Sequence, residues 1–376
     1  MADSQARAIA ILLGTIIGAG ILGIPYVIYQ AGFWTGILMI IALGIALLML
    51  HLYLGEISLR TKKIHELTGY AEKYLGPWGM RVMFITMLIG SYGALTAYLI
   101  GVGATLKAVL GGTEIMYTII CFVLLSAIVY TGLKAVGKWE LYLQGIILFI
   151  VLGITAYAFI FINPENLTGF SATSIFIPYG AIFFAMIGTT AIPEVRETLR
   201  KKPELMKKTI LIGTIVPIII YAIFTLVVVG VVGNGFNFLT ANERIATVAL
   251  GEVLGKSMNI LANLFATFTM ATSFLTIGLA LTWVYRYDYK IKKHTAWALT
   301  IFLPLILALS GLTTFIKTIG IVGAVAGGIE GILIVMMHKK AKHLGDRKPE
   351  YSIKHYTILS YILMALFVVG IILTLI

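Results

Sequence analysis

Residues 14–25 read Gly14-Thr15-Ile16-Ile17-Gly18-Ala19-Gly20-Ile21-Leu22-Gly23-Ile24-Pro25, four glycines and a proline inside an apolar run of about 8–29. A helix needs roughly 20 apolar residues to cross a hydrocarbon core about 30 Å thick, and this run is long enough. Breakers at such density interrupt a helix. In lipid an interrupted backbone survives only where protein or water satisfies the freed N–H and C=O groups. A second stretch has the same character: Phe183-Phe184-Ala185-Met186-Ile187-Gly188-Thr189-Thr190-Ala191-Ile192-Pro193-Glu194, within the run 174–195. Broken spans at matching places in two halves of a chain point to a transporter's binding site.

Two other readings of 14–25 are weaker. Gly18-Ala19-Gly20-Ile21-Leu22-Gly23 has the GxGxxG spacing of a dinucleotide loop, which also requires a preceding strand and an acid about 20 residues on. Residues 38–50 hold no Asp or Glu, and both flanks are long apolar runs. Gly14 and Gly18 also form GxxxG, a helix-packing face. Pro25 and the matching break near 188 are unexplained by packing alone.

Outward from these breaks the whole chain is membrane-like. Of 376 residues 60% are hydrophobic and 12% charged, with mean hydropathy +1.00, against about 45–50% and about 25% in soluble domains. Soluble multi-domain and disordered chains are thereby excluded, and the single Cys121 excludes a disulfide scaffold. Apolar runs fall near 8–29, 33–59, 81–110, 115–133, 139–162, 174–195, 208–233, 257–286, 295–310, 314–338 and 356–376. No run alternates as a barrel strand does. The expected fold is an all-α integral membrane protein of about eleven transmembrane helices in one domain, 1–376. The broken spans are the first and the sixth, as an inverted five-plus-five repeat requires. Its halves would be about 8–162 and 174–338, with an extra helix at 356–376.

Net charge is +12. Placing the N-terminus in the cytoplasm puts Arg7 and segments 60–81, 134–138, 196–208, 286–293 and 339–354 on that side, with 24 of the 28 Lys and Arg residues. Only Lys107, Arg244, Lys256 and Lys317 remain opposite. This is the positive-inside bias of a multi-pass cell-membrane protein, not a nucleic-acid surface, and it leaves the C-terminus outside. Trp34, Trp78, Trp139, Trp283 and Trp297 fall near span ends, where interfacial aromatics gather. The polar residues 1–7 and the absence of a small-residue cleavage site argue against a signal peptide.

A broken helix has direct chemistry. N–H groups at the start of a half-helix carry partial positive charge and suit a carboxylate. Freed carbonyls at the end of the preceding half-helix suit an ammonium or a metal cation. A midplane site offering both ends fits a zwitterion, and amino acids are the abundant small zwitterions.

Gly-Ala-Gly-Ile-Leu-Gly-Ile-Pro at 18–25 resembles the first-helix signature of the amino acid/auxin permease family and its bacterial aromatic amino acid permease relatives, within the amino acid–polyamine–organocation superfamily. Ile192-Pro193-Glu194 and the stretch His65-Glu66-Leu67-Thr68-Gly69-Tyr70-Ala71-Glu72-Lys73-Tyr74-Leu75-Gly76 are similar to it too. The resemblance implies the leucine-transporter fold and secondary active uptake of amino acids by symport with sodium or protons. Carried over, it puts the substrate at Gly18, Ala19 and Gly20, whose amides would meet the carboxylate. It also places the Phe184–Gly188 loop (Phe184, Ala185, Met186, Ile187, Gly188) at the substrate, with carbonyls near Phe184, Ala185 and Ile187 meeting the ammonium. Ser91, Tyr92 and Leu95 would form one wall. Met186 and Ile187 favour a neutral cargo.

The partners expected are an amino acid, sodium or a proton, and the lipid bilayer. In the eighth span Thr269, Thr272, Ser273 and Thr276 share a helical face, and hydroxyl oxygens suit small hard cations. Such hydroxyls also bond back to their own helix. Thr272-Ser273 resembles the hydroxyl pair of the leucine-transporter sodium site, with Gly14 and Ile17 carbonyls as the matching ligands. A bound sodium ion is therefore the leading coupling ion, with no other cofactor. For protons, the candidates are Glu330, deepest in a span, and Glu194. Glu56, four residues before Arg60, reads as an ion pair at the membrane edge, and His51 as a packed core residue. An enzyme would need a nucleophile–base set or metal ligands, and no HExxH or paired aspartates occur. A channel, an amino acid sensor on the same fold and a transporter of another small solute such as a nucleobase are the alternatives.

Overall fold

The computed structural model describes residues 2–132 and 136–376, with the side chains of these except at 2, 3, 136–144 and 288. Lys134 lies outside the described residues, as do the side chains of Lys138 and Trp139. Among the described residues all regular structure is helical. Eight helices among the described residues are long and apolar enough to cross a membrane: Ser4–Ala31, Phe33–Arg60, Pro77–Leu110, Glu114–Thr131, Pro203–Phe238, Lys256–Tyr287, Phe315–Leu344 and Thr357–Leu375. They fall on the expected spans one to four, seven, eight, ten and eleven. The shorter apolar helices Gly145–Phe159 and Lys293–Leu309 lie in spans five and nine. Span six is in two pieces, Tyr179–Met186 and Ile192–Thr198.

Left-handed glycines turn the chain between spans. Gly32 (φ +88) separates spans one and two, and Gly76 (φ +82) precedes span three, positions a side chain would strain. Span three packs along span eight and span two along span seven. Glycines bring these pairs close: Gly101 faces Met270, and Gly44 faces Ile218. Buried threonines such as Thr105 and Thr282 donate to carbonyls of their own helices, so they pack without an unpaired hydroxyl. The outward faces are apolar, with Phe149 78% and Ile306 63% exposed, as lipid contact requires.

The segment 61–77 between spans two and three contains an amphipathic helix at Leu67–Leu75. Its apolar face is not turned to lipid: Leu67, Tyr70, Ala71, Tyr74 and Leu75 are buried in the protein. The long segment 234–256 holds a short turn of helix, Gly233–Phe238, and the helix Ala246–Leu254.

A strap, residues 345–356, joins spans ten and eleven. It is pinned by Glu56, whose fully buried carboxylate accepts from Arg60 (2.7 Å), Lys342 (2.5 Å), His338 (3.0 Å) and the Ile353 amide (2.7 Å). Asp346 pairs with Lys73 and accepts from the Lys62 amide. His338 Nδ1 meets His355 Nδ1 at 3.1 Å, and His355 Nε2 meets Ser360 Oγ at 3.2 Å. The last span exposes most of its surface, yet Phe367 packs edge-on to Phe183 (5.6 Å) and Gly370 takes the Tyr179 ring.

Candidate functional site: two crossed helix breaks

The two breaks follow one pattern. Span one is helical to Ile16, turns out of helix at Ile17–Gly18 (Gly18 φ −137, ψ −157), resumes as a 3-10 turn over Ala19–Gly23 and becomes α-helix at Ile24. Span six is helical to Met186, extended at Ile187 (φ −70, ψ 126), forms a 3-10 turn over Thr189–Ala191 and restarts at Ile192. Pro25 and Pro193 sit in the first turn of the restarted helices, where a missing N–H removes no bond. The opening N–H groups of each restarted segment have no acceptor within it.

These breaks cross in contact. A methyl group on Gly20 would stand 2.6 Å from Ala185 Cα, and one on Gly188 2.6 Å from Ile16 Cγ1. Each break's glycine thus receives the end of the other span's first half-helix. Tyr221, wholly buried in span seven, closes the crossing. Its hydroxyl lies 2.5 Å from the Ile16 carbonyl oxygen and 3.0 Å from that of Ala185, with the Gly18 amide beside it. One hydroxyl proton divides between two terminal carbonyls, so both keep acceptor capacity for a cation.

Two residues grip the sixth break itself. The Gly188 N–H donates to His51 Nε2 (3.0 Å), and His51 Nδ1 lies 2.9 Å from Thr214 Oγ1. An amide can only donate, so Nε2 carries the lone pair and Nδ1 carries the proton, donated to Thr214. His51 is core-buried, as its sequence context suggests, and it also orients the break. Thr189 donates to Glu330, which is buried in span ten.

Other expected site residues divide. Gly20 meets Ala185 and Gly188 meets Ile16 at the crossing, with Ile17, Gly18, Ala19, Met186 and Ile187 beside them along the two breaks, and Phe184 packs on Gly323 of span ten. Ser273 Oγ stands 4.0 Å from where a Gly18 methyl would be, so Ser273 looks onto the first break, whereas Thr276 is exposed. Thr269 and Thr272 donate to Phe265 and Thr269 carbonyls, both at 3.0 Å. Tyr92 is engaged elsewhere, bonded to the Tyr285 hydroxyl (2.6 Å) and the Leu299 carbonyl (3.2 Å). From span three it is Tyr98 that lies beside Ser273 and Tyr221, about 10 Å further along the helix than Ser91. Glu194 is exposed and forms no ion pair among the described residues, unlike Glu197, which meets Arg200. Sequence reading passes over Tyr221, Tyr98 and Thr189. The available signal is that a phenol in an apolar mid-span run needs a partner for its hydroxyl.

A solved structure shares this architecture. The structure of MhsT in complex with L-phenylalanine superposes with a TM-score of 0.68 at 13% identity, covering 98% of this chain and 97% of that one. Glutamine transporter 2 of Aliivibrio fischeri is 24% identical over 334 residues, 84% of this chain and 83% of its own length. Tyrosine-specific transport system 1 of Haemophilus influenzae is 24% identical over 361 residues, covering 90% and 88%. The family profile described as the tryptophan/tyrosine permease family matches residues 1–375. Of the groups that the 18–25 motif resembles, the match is thus to the aromatic permeases, and the chain belongs to the tryptophan/tyrosine permease family.

Proposed function

We propose that this permease takes up neutral amino acids across the cell membrane by ion-coupled symport and alternating access. The crossed breaks carry the reading. The Ala19 and Gly20 amides would hold the carboxylate, and carbonyls of Phe184, Ala185 and Ile187 the ammonium. Met186 and Ile187 at the crossing suit an uncharged side chain, and the related transporters are named for glutamine and tyrosine. The charge asymmetry of 24 bases to 4 supports a cytoplasmic N-terminus and an outer C-terminus. Repeats at about 8–162 and 174–338, with an extra helix at 356–376, are supported by the shared break pattern. The partnering of span three with eight and two with seven, each pair five apart, supports them too.

For the coupling ion the leading reading is sodium on the Gly14 and Ile17 carbonyls with Thr269, Thr272 and Ser273. Thr269 and Thr272 direct their protons to the helix backbone and keep lone pairs for a hard cation. A proton on Glu330 is the second reading, favoured by the Thr189–Glu330 bond at the sixth break. The exposed position of Glu194 makes it the weaker proton site.

Uptake of labelled amino acids into proteoliposomes, under a sodium or a proton gradient alone, tests both. Sodium-driven accumulation abolished by Thr272→Ala with Ser273→Ala supports the sodium site. Proton-driven accumulation lost in Glu330→Gln, with counterflow exchange retained, would replace it. No amino acid uptake under either gradient would overturn the transport reading.

A further inference from the structure

We propose that a cavity beyond the breaks, between spans one, six and ten, is an antechamber that captures the carboxylate of an arriving amino acid on Arg244 and Lys317. It rests on the reading of the chain as an amino acid symporter with this face outward.

The cavity measures about 300 Å³, room for roughly ten waters at about 30 Å³ each and so for a small zwitterion. Tyr26 and Gln30 of span one, Ala181 of span six, Thr314 and Lys317 of span ten and Arg244 of the 234–256 segment are among its walls. Tyr26 lies six residues past Gly20, about 9 Å at about 1.5 Å per helical residue. The cavity therefore lies on the outer side of the crossed breaks and touches both broken spans.

Its charge is one-sided. Only four bases lie on this face, and Lys107 is neutralised by Glu243 at 2.8 Å. Arg244 and Lys317 both line the cavity, no acid lines it, and neither side chain forms an ion pair or hydrogen bond among the described residues, the Lys317 backbone amide donating to Thr314. The Arg244 guanidinium lies over the Tyr26 ring, 4.9 Å from its centroid, and its Nε is buried without a partner. The guanidinium is in contact with the ring, and no described residue accepts from it. A planar fork on a semi-apolar wall matches a carboxylate bidentately. A merely structural strut between the 234–256 segment and Tyr26 would need one cation. It would not explain a second base on span ten or the unpaired Nε.

Two measurements test the assignment. In proteoliposomes, Arg244→Gln is expected to raise KM about tenfold at low salt with Vmax within about twofold, and Arg244→Lys to fall between. Wild-type KM should rise with ionic strength as screening shortens the field, and that slope should vanish in Arg244→Gln with Lys317→Gln. A fall in Vmax with KM and its salt slope unmoved would identify a strut and overturn the proposal. Independently of transport, modification of Arg244 by phenylglyoxal, followed by mass spectrometry, should be slowed by amino acids and by acetate but not by amino acid amides. Equal rates with and without carboxylate would overturn it. Protection without any uptake would instead remove the symport reading and leave the anion site standing.

Discussion

The Tyr221 hydroxyl stands 2.5 Å from the Ile16 carbonyl oxygen, so a residue of span seven terminates the first half-helix of span one. The same oxygen reaches Ala185 of span six at 3.0 Å. One side chain therefore ties both breaks together.

Tyr221→Phe keeps the ring and removes the shared proton, leaving two buried terminal carbonyls without it. A loss of about 1–3 kcal/mol is expected for such unsatisfied groups. It should be read as a lowered Tm in detergent together with reduced uptake. An unchanged Tm and uptake would show that the hydroxyl does not join the breaks.

Gly20 and Gly18 should respond differently to the same substitution. A Gly20→Ala methyl meets Ala185 Cα at 2.6 Å, backbone that cannot swing aside, so overpacking of about 1–3 kcal/mol and loss of transport are expected. A Gly18→Ala methyl meets nothing nearer than Ser273 Oγ at 4.0 Å, and its φ of −137 suits alanine. Gly18→Ala should hold its Tm while impairing uptake, because it narrows the space between the first break and span eight. Parallel thermal and uptake measurements separate the two.

His51→Leu orphans the Gly188 N–H and the Thr214 hydroxyl in the core. About 1–3 kcal/mol per group is expected, with the larger effect on transport because Gly188 belongs to the break. Thr214→Val removes only the partner of the Nδ1 proton and should be milder. Equal effects from both substitutions would show that the Gly188 N–H bond to His51 contributes nothing.

The strap should loosen in acid. Burial, followed by Lys339 and Lys342, holds the His355 imidazole below its ordinary value. A depressed folded value means its contribution is present above about pH 6.5 and is lost as pH falls through the depressed value. Asp346, held below the carboxylate range by Lys73, adds a loss only below about pH 4. Hydrogen-exchange protection over 345–356, corrected for the intrinsic exchange rate at each pH, should therefore fall between about pH 7 and 5, and His355→Asn should flatten that fall.

What was legible in the sequence was what the bilayer dictates. Apolar length places the spans, and glycine with proline places both breaks within a residue or two, because lipid leaves no other use for such runs. Depth along a helix was not legible. Ser91, Tyr92 and Tyr98 all lie in span three, and only the crossing of spans seven and eight decides that Tyr98 faces the breaks. The partners of His51 and Tyr221 come from other spans, so nothing local separates them from packing residues. The strap has no periodicity at all, and its anchoring by Glu56 appears only once spans two and ten are side by side.

The last span packs on span ten, where Gly331 takes the Phe367 ring and Gly328 takes Ile371, and bears on span six through Phe367 against Phe183 and Gly370 against Tyr179, while its remaining surface is exposed. Tyr179 and Phe183 belong to the half-helix that ends at the sixth break. A helix so exposed tilts when bilayer thickness departs from its length, at a fraction of a kcal/mol per Å, and here tilt presses on the half-helix beneath. Acyl-chain length thereby becomes a mechanical input to the permease. Turnover should pass through an optimum as vesicle lipids are lengthened, and Phe367→Ala should broaden it.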